Sequence, residues 1–300
     1  MPKIITEDMI EQAAIKALQE RHNYTVLNCM TEEPDTLPDG TGRKDKKQVV
    51  LPDVMLESLC QINPDIPEQI VRTVLDELCH TPVSGDLMLT NYQNYQKIRN
   101  GITVEYNKDG KKTSNILRLL SYNDALSNTF TVASQMWIKG ETHWRRPDLI
   151  IFINGFPLVF IELKNSNIPV KNAYDINLKN YLKDIPYLFN YNQICVLSNG
   201  METRLGSFAA GYEFFFEWLK VDSEKEKPDR AGIRDSGVSI VYFIDGLLKK
   251  ERLVDYIENF VLFDNRKYKI IAKNHQYLGV NNLVRAVERK EELKGKLGVF

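Results

Sequence analysis

The sequence predicts an α/β fold, a mixed β-sheet flanked by helices, on the strength of three features. Apolar residues recur at helical spacing through most of the first hundred or so positions, and the period then falls to two. Three later runs, 149–153, 158–163 and 194–197, are short and nearly all apolar. Such runs belong to central strands covered on both faces, which requires helices on either side of the sheet. With 300 residues, the chain can bury a core for one large or two modest domains. A composition 43% hydrophobic and 26% charged excludes the disordered and fibrous classes.

The elements follow in order. Thr6 precedes an acidic first turn, Glu7 and Asp8, after which Ile10, Ala13, Ala14, Ala17 and Leu18 share one face of an opening helix. Glu7 falls inside the apolar arc and Glu11 at its edge, so a carboxylate either points inward or serves the helix dipole from a solvated face. Residues 31–50 mix prolines, glycines and charges without period and read as a surface loop, in which Arg43, Lys44, Lys46 and Lys47 either touch phosphate or, more simply, are solvated. Helices are expected at 51–61, at 67–80 after the Asn63-Pro64-Asp65 stop, and at 86–100. Strands at 102–106 and 115–120 around Asn107-Lys108-Asp109-Gly110, continued by 130–138, suggest an antiparallel meander. A helix at 170–183 separates the last two central strands. The charged, turn-rich stretch VDSEKEKPDRAGIRDSG closes a first domain, residues 1–235. Residues 236–300, with an amphipathic helix at 247–263, are too few and too poor in strand signals for a second domain. They read as a linker and a helical C-terminal extension that opens something larger.

Several function classes fall away. A net charge of -1 provides no global basic field, so any contact with nucleic acid needs a local patch. Cys29, Cys60, Cys79 and Cys195 lack CxxC spacing, which excludes a zinc site of that type and points to buried thiols in a reducing cytosol. The apolar run 149–160 is broken by Asn154, Gly155 and Pro157, short of the roughly 18 residues that span a bilayer. No GxxxxGK[ST] loop occurs, so these residues are not expected to hydrolyse ATP.

The chemistry concentrates in Arg146-Pro147-Asp148, Asn154-Gly155 and Ile161-Glu162-Leu163-Lys164. Charged side chains inside apolar strands need partners, and an ion-pair network is the simplest supply. Glu162 and Lys164 lie two residues apart and share a strand face. Whether Asp148 joins them depends on the hairpin. A two-residue Asn154-Gly155 loop with regular pairing sets Asp148 against Ile161, on the opposite face from Glu162. A three-residue loop, 153–155, with Gly155 as the bulge residue sets Asp148 against Phe160, diagonal to Glu162. The bulged loop is the expectation. Two adjacent carboxylates then repel unless a divalent cation neutralises them, and Mg2+ suits oxygen ligands. Lys164 beside such an ion can orient water and offset phosphate charge, which describes phosphodiester hydrolysis.

Across residues 146–164 the chain resembles PD-(D/E)xK nucleases, with Pro147-Asp148 and Glu162-Leu163-Lys164 supplying the motif. The segments RPDLIIFINGFPLVFIELKN and DIPYLFNYNQICVLSNG, the opening TEDMIEQAAIKAL with the Asn-Tyr-Thr-Val that follows, and YKIIAKNHQYLGVNNLVRAV narrow the resemblance. They are similar to the R (restriction) subunit of type I restriction enzymes. That resemblance implies a catalytic triad of Asp148, Glu162 and Lys164, with Mg2+ held by Asp148 and Glu162. It implies an accessory acid on the first helix, Glu11 or Glu7. The family's Gln-x-x-x-Tyr pair falls on Asn177 and Tyr181, with the shorter Asn in place of Gln. Lys171, Lys179 and Lys183 lie on the same helix, where they either contact DNA phosphates or form a solvated face. The resemblance further implies double-stranded DNA as substrate, methylation and specificity subunits as partners, an ATP-driven motor following this region, and a prokaryotic cytoplasm. Two other readings stand beside it. One is a repair-type nuclease of the same fold, which would lack the C-terminal lead-in; the other is a catalytically silent DNA-binding or subunit-interaction domain whose charged strand residues only pair with one another.

Overall fold

The computed structural model describes residues 4–79, 85–108, 110–292 and 295. The Thr6 hydroxyl caps the first helix, α1 (Glu7–His22), by accepting from the Met9 N–H. Ile10, Ala14, Ala17 and Leu18 are buried along it. Strand β1 (Thr25–Asn28) follows. Helices α2 (Pro52–Ile62), α3 (Glu68–Cys79) and α4 (Leu87–Asn100) lie where the apolar period places them. His80, the expected end of α3, lies outside the described residues.

The loop before α2 departs from expectation. Lys44 and Lys47 are exposed, but Arg43 and Lys46 are buried on the carboxylate of Asp39, at 2.6 Å each. Arg43 also donates to the carbonyls of Gln48 and Trp137. An acidic partner four residues before Arg43 converts half of the basic cluster into an internal clamp. The meander is corrected as well. Strands β2 (Ile102–Lys108) and β3 (Lys111–Leu117) form a ribbon of their own, buried on one face; Asp109 of their turn lies outside the described residues. Strand β4 (Phe130–Ser134), buried on both faces, joins the central sheet, while β5 (Ile138–Lys139) pairs with β6 (Trp144–Arg145).

The central sheet continues with β7 (Leu149–Ile153), β8 (Phe156–Leu163), β9 (Ile194–Ser198), β10 (Thr203–Gly206) and β11 (Phe216–Glu217). Its order is β1-β4-β7-β8-β9-β10-β11; β1 runs parallel to β4 and β8 to β9, and the other neighbours are antiparallel. A mixed sheet flanked by helices, the restriction-endonuclease-like arrangement, is therefore observed. Between β8 and β9 the helix is not uniform: 173–178 is a wide π turn that passes into α5 (Lys179–Asp184).

Beyond α6 (Arg230–Ser236), the single helix expected at 247–263 is two helices and a strand. Helix α7 (Ser239–Leu247) ends and α8 (Lys250–Asn259) restarts after Lys249, whose ψ of 129° is extended. Strands β12 (Val261–Asp264) and β13 (Tyr268–Ile271) then form a hairpin, turned by left-handed Asn265 and Arg266, and α9 (Asn274–Glu288) follows. Helix α7 packs on α1, and residues Ile240, Phe243, Ile244 and Leu247 belong to the same continuous core as the central strands. Tyr24 reaches the Leu248 carbonyl at 2.8 Å, and Tyr95 reaches that of Val261 at 2.9 Å.

Candidate active site

Hairpin β7–β8 presents the candidate residues. Its turn has two residues, Asn154 and Gly155, with φ of 49° and 80°. Ile153 pairs with Phe156 and Phe152 with Pro157, but Ile151 pairs with Val159, so Leu158 is an extra residue. The expected bulge at Gly155 is thus corrected: it lies at Pro157–Leu158. Proline brings no N–H to the ladder and is tolerated in an internal strand chiefly at a bulge, so Pro157 was the signal in the sequence. Below the bulge Leu149 pairs with Ile161, and one step further the same register sets Asp148 directly against Glu162. The two carboxylates share a face, by a different route from the one expected.

The turn is fixed from outside. Asn154 accepts from the Thr129 N–H at 2.8 Å and donates to the Leu119 carbonyl at 3.0 Å. The Gly155 carbonyl accepts from the Leu51 N–H at 3.0 Å, and a Cβ on Gly155 would stand 2.4 Å from Met55 Cγ.

Glu162 is 2% exposed. Its Oε1 accepts from Lys164 Nζ at 3.0 Å, and its buried Oε2 has no hydrogen-bond partner. Burial, reinforced by the charge of Asp148, pushes its pKa up to about 8. Asp148 is also raised by burial, although its Oδ2 accepts the Leu163 N–H at 2.7 Å. Burial works against the Lys164 ammonium, but the carboxylates of Glu162, Glu7 and Asp148 together hold the lysine above its usual value. Lys164 also stands 3.8 Å from Glu7 Oε1.

Next to Asp148 opens a cleft of about 450 Å3 lined by Glu7, Glu11, Gln135, Arg146 and Asp148 among others, whereas Glu162 and Lys164 are not among its lining residues. A larger hollow of about 770 Å3 beside α2 and α3 contains none of the candidate residues. Among the described residues no three His, Cys, Asp or Glu side chains form a ready-made metal cluster. The donor set nevertheless fits a hard cation. Two facing carboxylates, one with an orphaned buried oxygen, supply anionic oxygen ligands, and such ions complete their coordination with water.

The accessory candidates divide. Glu11 is buried, accepts from Gln135 Nε2 and lines the cleft; Glu7 is half-exposed, with its N–H bound to Asn165 Oδ1 at 2.8 Å. Both carboxylates therefore turn toward the site. The Tyr181 ring packs edge-on against Phe160, and its hydroxyl donates to the Arg146 carbonyl at 3.1 Å, beside the Glu162 carboxyl and Asn177. Lys171 and Lys179 both pair with Asp175 at 2.9 Å, and Lys183 is exposed; none of the three lines the cleft. Gln135 had no signal in the sequence, because its place depends on a left-handed turn. Arg146, stacked on Trp137 at 4.8 Å, stood in the quoted motif without a role.

Residues 4–214 match the family described as "Type I restriction enzyme R protein N terminus". The chain belongs to this family. Among relatives of this R-protein region, it is 34% identical over 294 residues to the type I restriction enzyme HindI endonuclease subunit of Haemophilus influenzae. It is 29% identical over 298 residues to a Methanocaldococcus jannaschii protein provisionally named as the type I restriction enzyme MjaIXP endonuclease subunit. Each alignment covers 94% of this chain but only 26% and 28% of those relatives, so the chain spans about a quarter of their length. Identity to the type I restriction enzyme EcoprrI endonuclease subunit of Escherichia coli is 26%, over 63% of this chain and 59% of that protein. Among the described residues, no helix is long and apolar enough to cross a membrane.

Proposed function

We propose that this R-protein region is the nuclease of a type I restriction enzyme and hydrolyses phosphodiester bonds of double-stranded DNA with Mg2+. What carries the reading is the convergence of Asp148, Glu162 and Lys164 on one face of a buried hairpin, with Glu162 Oε2 left unpartnered. Asp148 and Glu162 would hold the cation. When bound, it supplies Lewis acidity toward a phosphate oxygen and lowers the pKa of water. Lys164, kept charged by Glu162, offsets negative charge on the phosphate and orients the attacking water. Tyr181 fixes the Arg146 backbone immediately before Pro147-Asp148. Glu11 and Glu7 add acidic groups to the lining of the cleft and bias it toward a cation.

The wider setting we propose follows the resemblance of the sequence to the R subunit: a motor in the rest of the subunit that uses ATP, methylation and specificity subunits as partners, and the cytoplasm of a prokaryote; this chain spans about a quarter of the length of its longer relatives. In that setting this region cuts without reading sequence. Replacement of Asp148 or Lys164 by alanine in the full-length subunit, reconstituted with its partners, is expected to abolish DNA cleavage and leave ATP hydrolysis unchanged. Cleavage retained by either variant would overturn the assignment and favour a silent DNA-binding or subunit-interaction domain.

A further inference from the structure

We propose that Gln135 is a positioning residue that ties Glu11 on α1, through its side-chain amide, to the backbone of Asp148 at the foot of β7, so that both carboxylates converge on the cleft. The role rests on the metal-dependent reading of the site given above. Strand β4 ends at Ser134, and Gln135 takes a φ of 55°. Among the described residues, the other non-glycine positions with positive φ are Asn23, Asn154, Asn265 and Arg266. Asparagine suits this region because its short side chain hydrogen-bonds locally, an advantage that glutamine lacks. An unfavourable backbone at the edge of a candidate site is a reason to ask what its side chain does there.

The turn has two effects. It lets the Gln135 N–H donate to the Asp148 carbonyl at 3.0 Å, extending the β4–β7 pairing by one residue. It also swings the side chain across to α1, where Nε2 donates to Glu11 Oε2. The two bonds leave from opposite ends of one residue, so the α1 carboxylate and the Asp148 backbone are held to the same point at the end of β4. One residue thus fixes the Glu11 carboxylate on α1 relative to the backbone that carries Asp148, and both carboxylates line the cleft. Groups that orient metal ligands in this way typically contribute about tenfold to a hundredfold in affinity.

The test is calorimetric titration of Mn2+ alone into the wild-type chain and into Gln135→Ala, Gln135→Asn and Asp148→Ala. Each is measured at a temperature where its melting curve in EDTA shows it folded. Asparagine favours the same left-handed backbone but reaches one methylene less far, so it removes the tie without adding strain. Gln135→Ala and Gln135→Asn are each expected to bind Mn2+ at least about tenfold more weakly than wild type, and Asp148→Ala to lose binding. Wild-type affinity in Gln135→Asn overturns the positioning role alone if Asp148→Ala has lost the ion. Wild-type affinity in Asp148→Ala overturns the metal site and, with it, the role of Gln135.

Discussion

A carboxyl group enclosed as Glu162 is, with one oxygen unpartnered, is expensive to ionise without a cation beside it. Its pKa is raised from 4.5 to about 8, so between those values the folded chain holds a proton that the unfolded chain has released. The stability of the metal-free chain therefore falls as pH rises through that window, by roughly 1.4 kcal/mol per pH unit at most from this group. Glu162→Gln removes that contribution. Denaturant titrations in EDTA at pH 5 and pH 8 are expected to show a smaller loss of stability for the variant than for wild type; equal losses would contradict the burial argument. Asp148, Glu162 and Lys164 were legible in the sequence because charges inside apolar strands stand out against their neighbours. Gln135 was not, since nothing about a glutamine after a strand announces a left-handed backbone.

Hairpin β7–β8 shows why element existence is easier to read than register. Asn154-Gly155 announced a turn, and apolar runs on either side announced strands. The position of the extra residue decided which face Asp148 would occupy, and that information lay in Pro157, inside a strand, rather than at the turn. The tip is also a packing element, because Gly155 presses on α2 at Leu51 and Met55. Gly155→Ala places a Cβ both in a left-handed backbone and against Met55. It is expected to destabilise the chain by about 1–3 kcal/mol in chemical denaturation; a change within experimental error would show that α2 yields without cost. Loop 31–50 was opaque for a related reason. Its composition is that of solvated loops, and only the fold brings Asp39, Arg43 and Lys46 into one buried cluster.

The sheet and its flanking helices could be read from periodicity, but the way the C-terminal segment joins them could not. Apolar spacing continues across Leu248, which hides the break between α7 and α8, and four-residue strands carry little alternation to recognise. In the folded chain α7, α8 and the β12–β13 hairpin share the core of the central sheet, with Lys269 buried against Asn91 and the Asn192 carbonyl. Residues 236–288 are accordingly expected to melt with the rest in one cooperative transition, checked by comparing calorimetric with van't Hoff enthalpy; two separate transitions would mean an independent extension. Above all of this stands the proposal that the fold exists here to bring two carboxylates and a lysine around a cation. Crystals soaked in Mn2+ and measured at its absorption edge address it. The expected result is an anomalous peak between the carboxylates of Asp148 and Glu162, roughly 2.0–2.3 Å from an oxygen of each. A Mn2+ peak elsewhere, with none between these two residues, would contradict it.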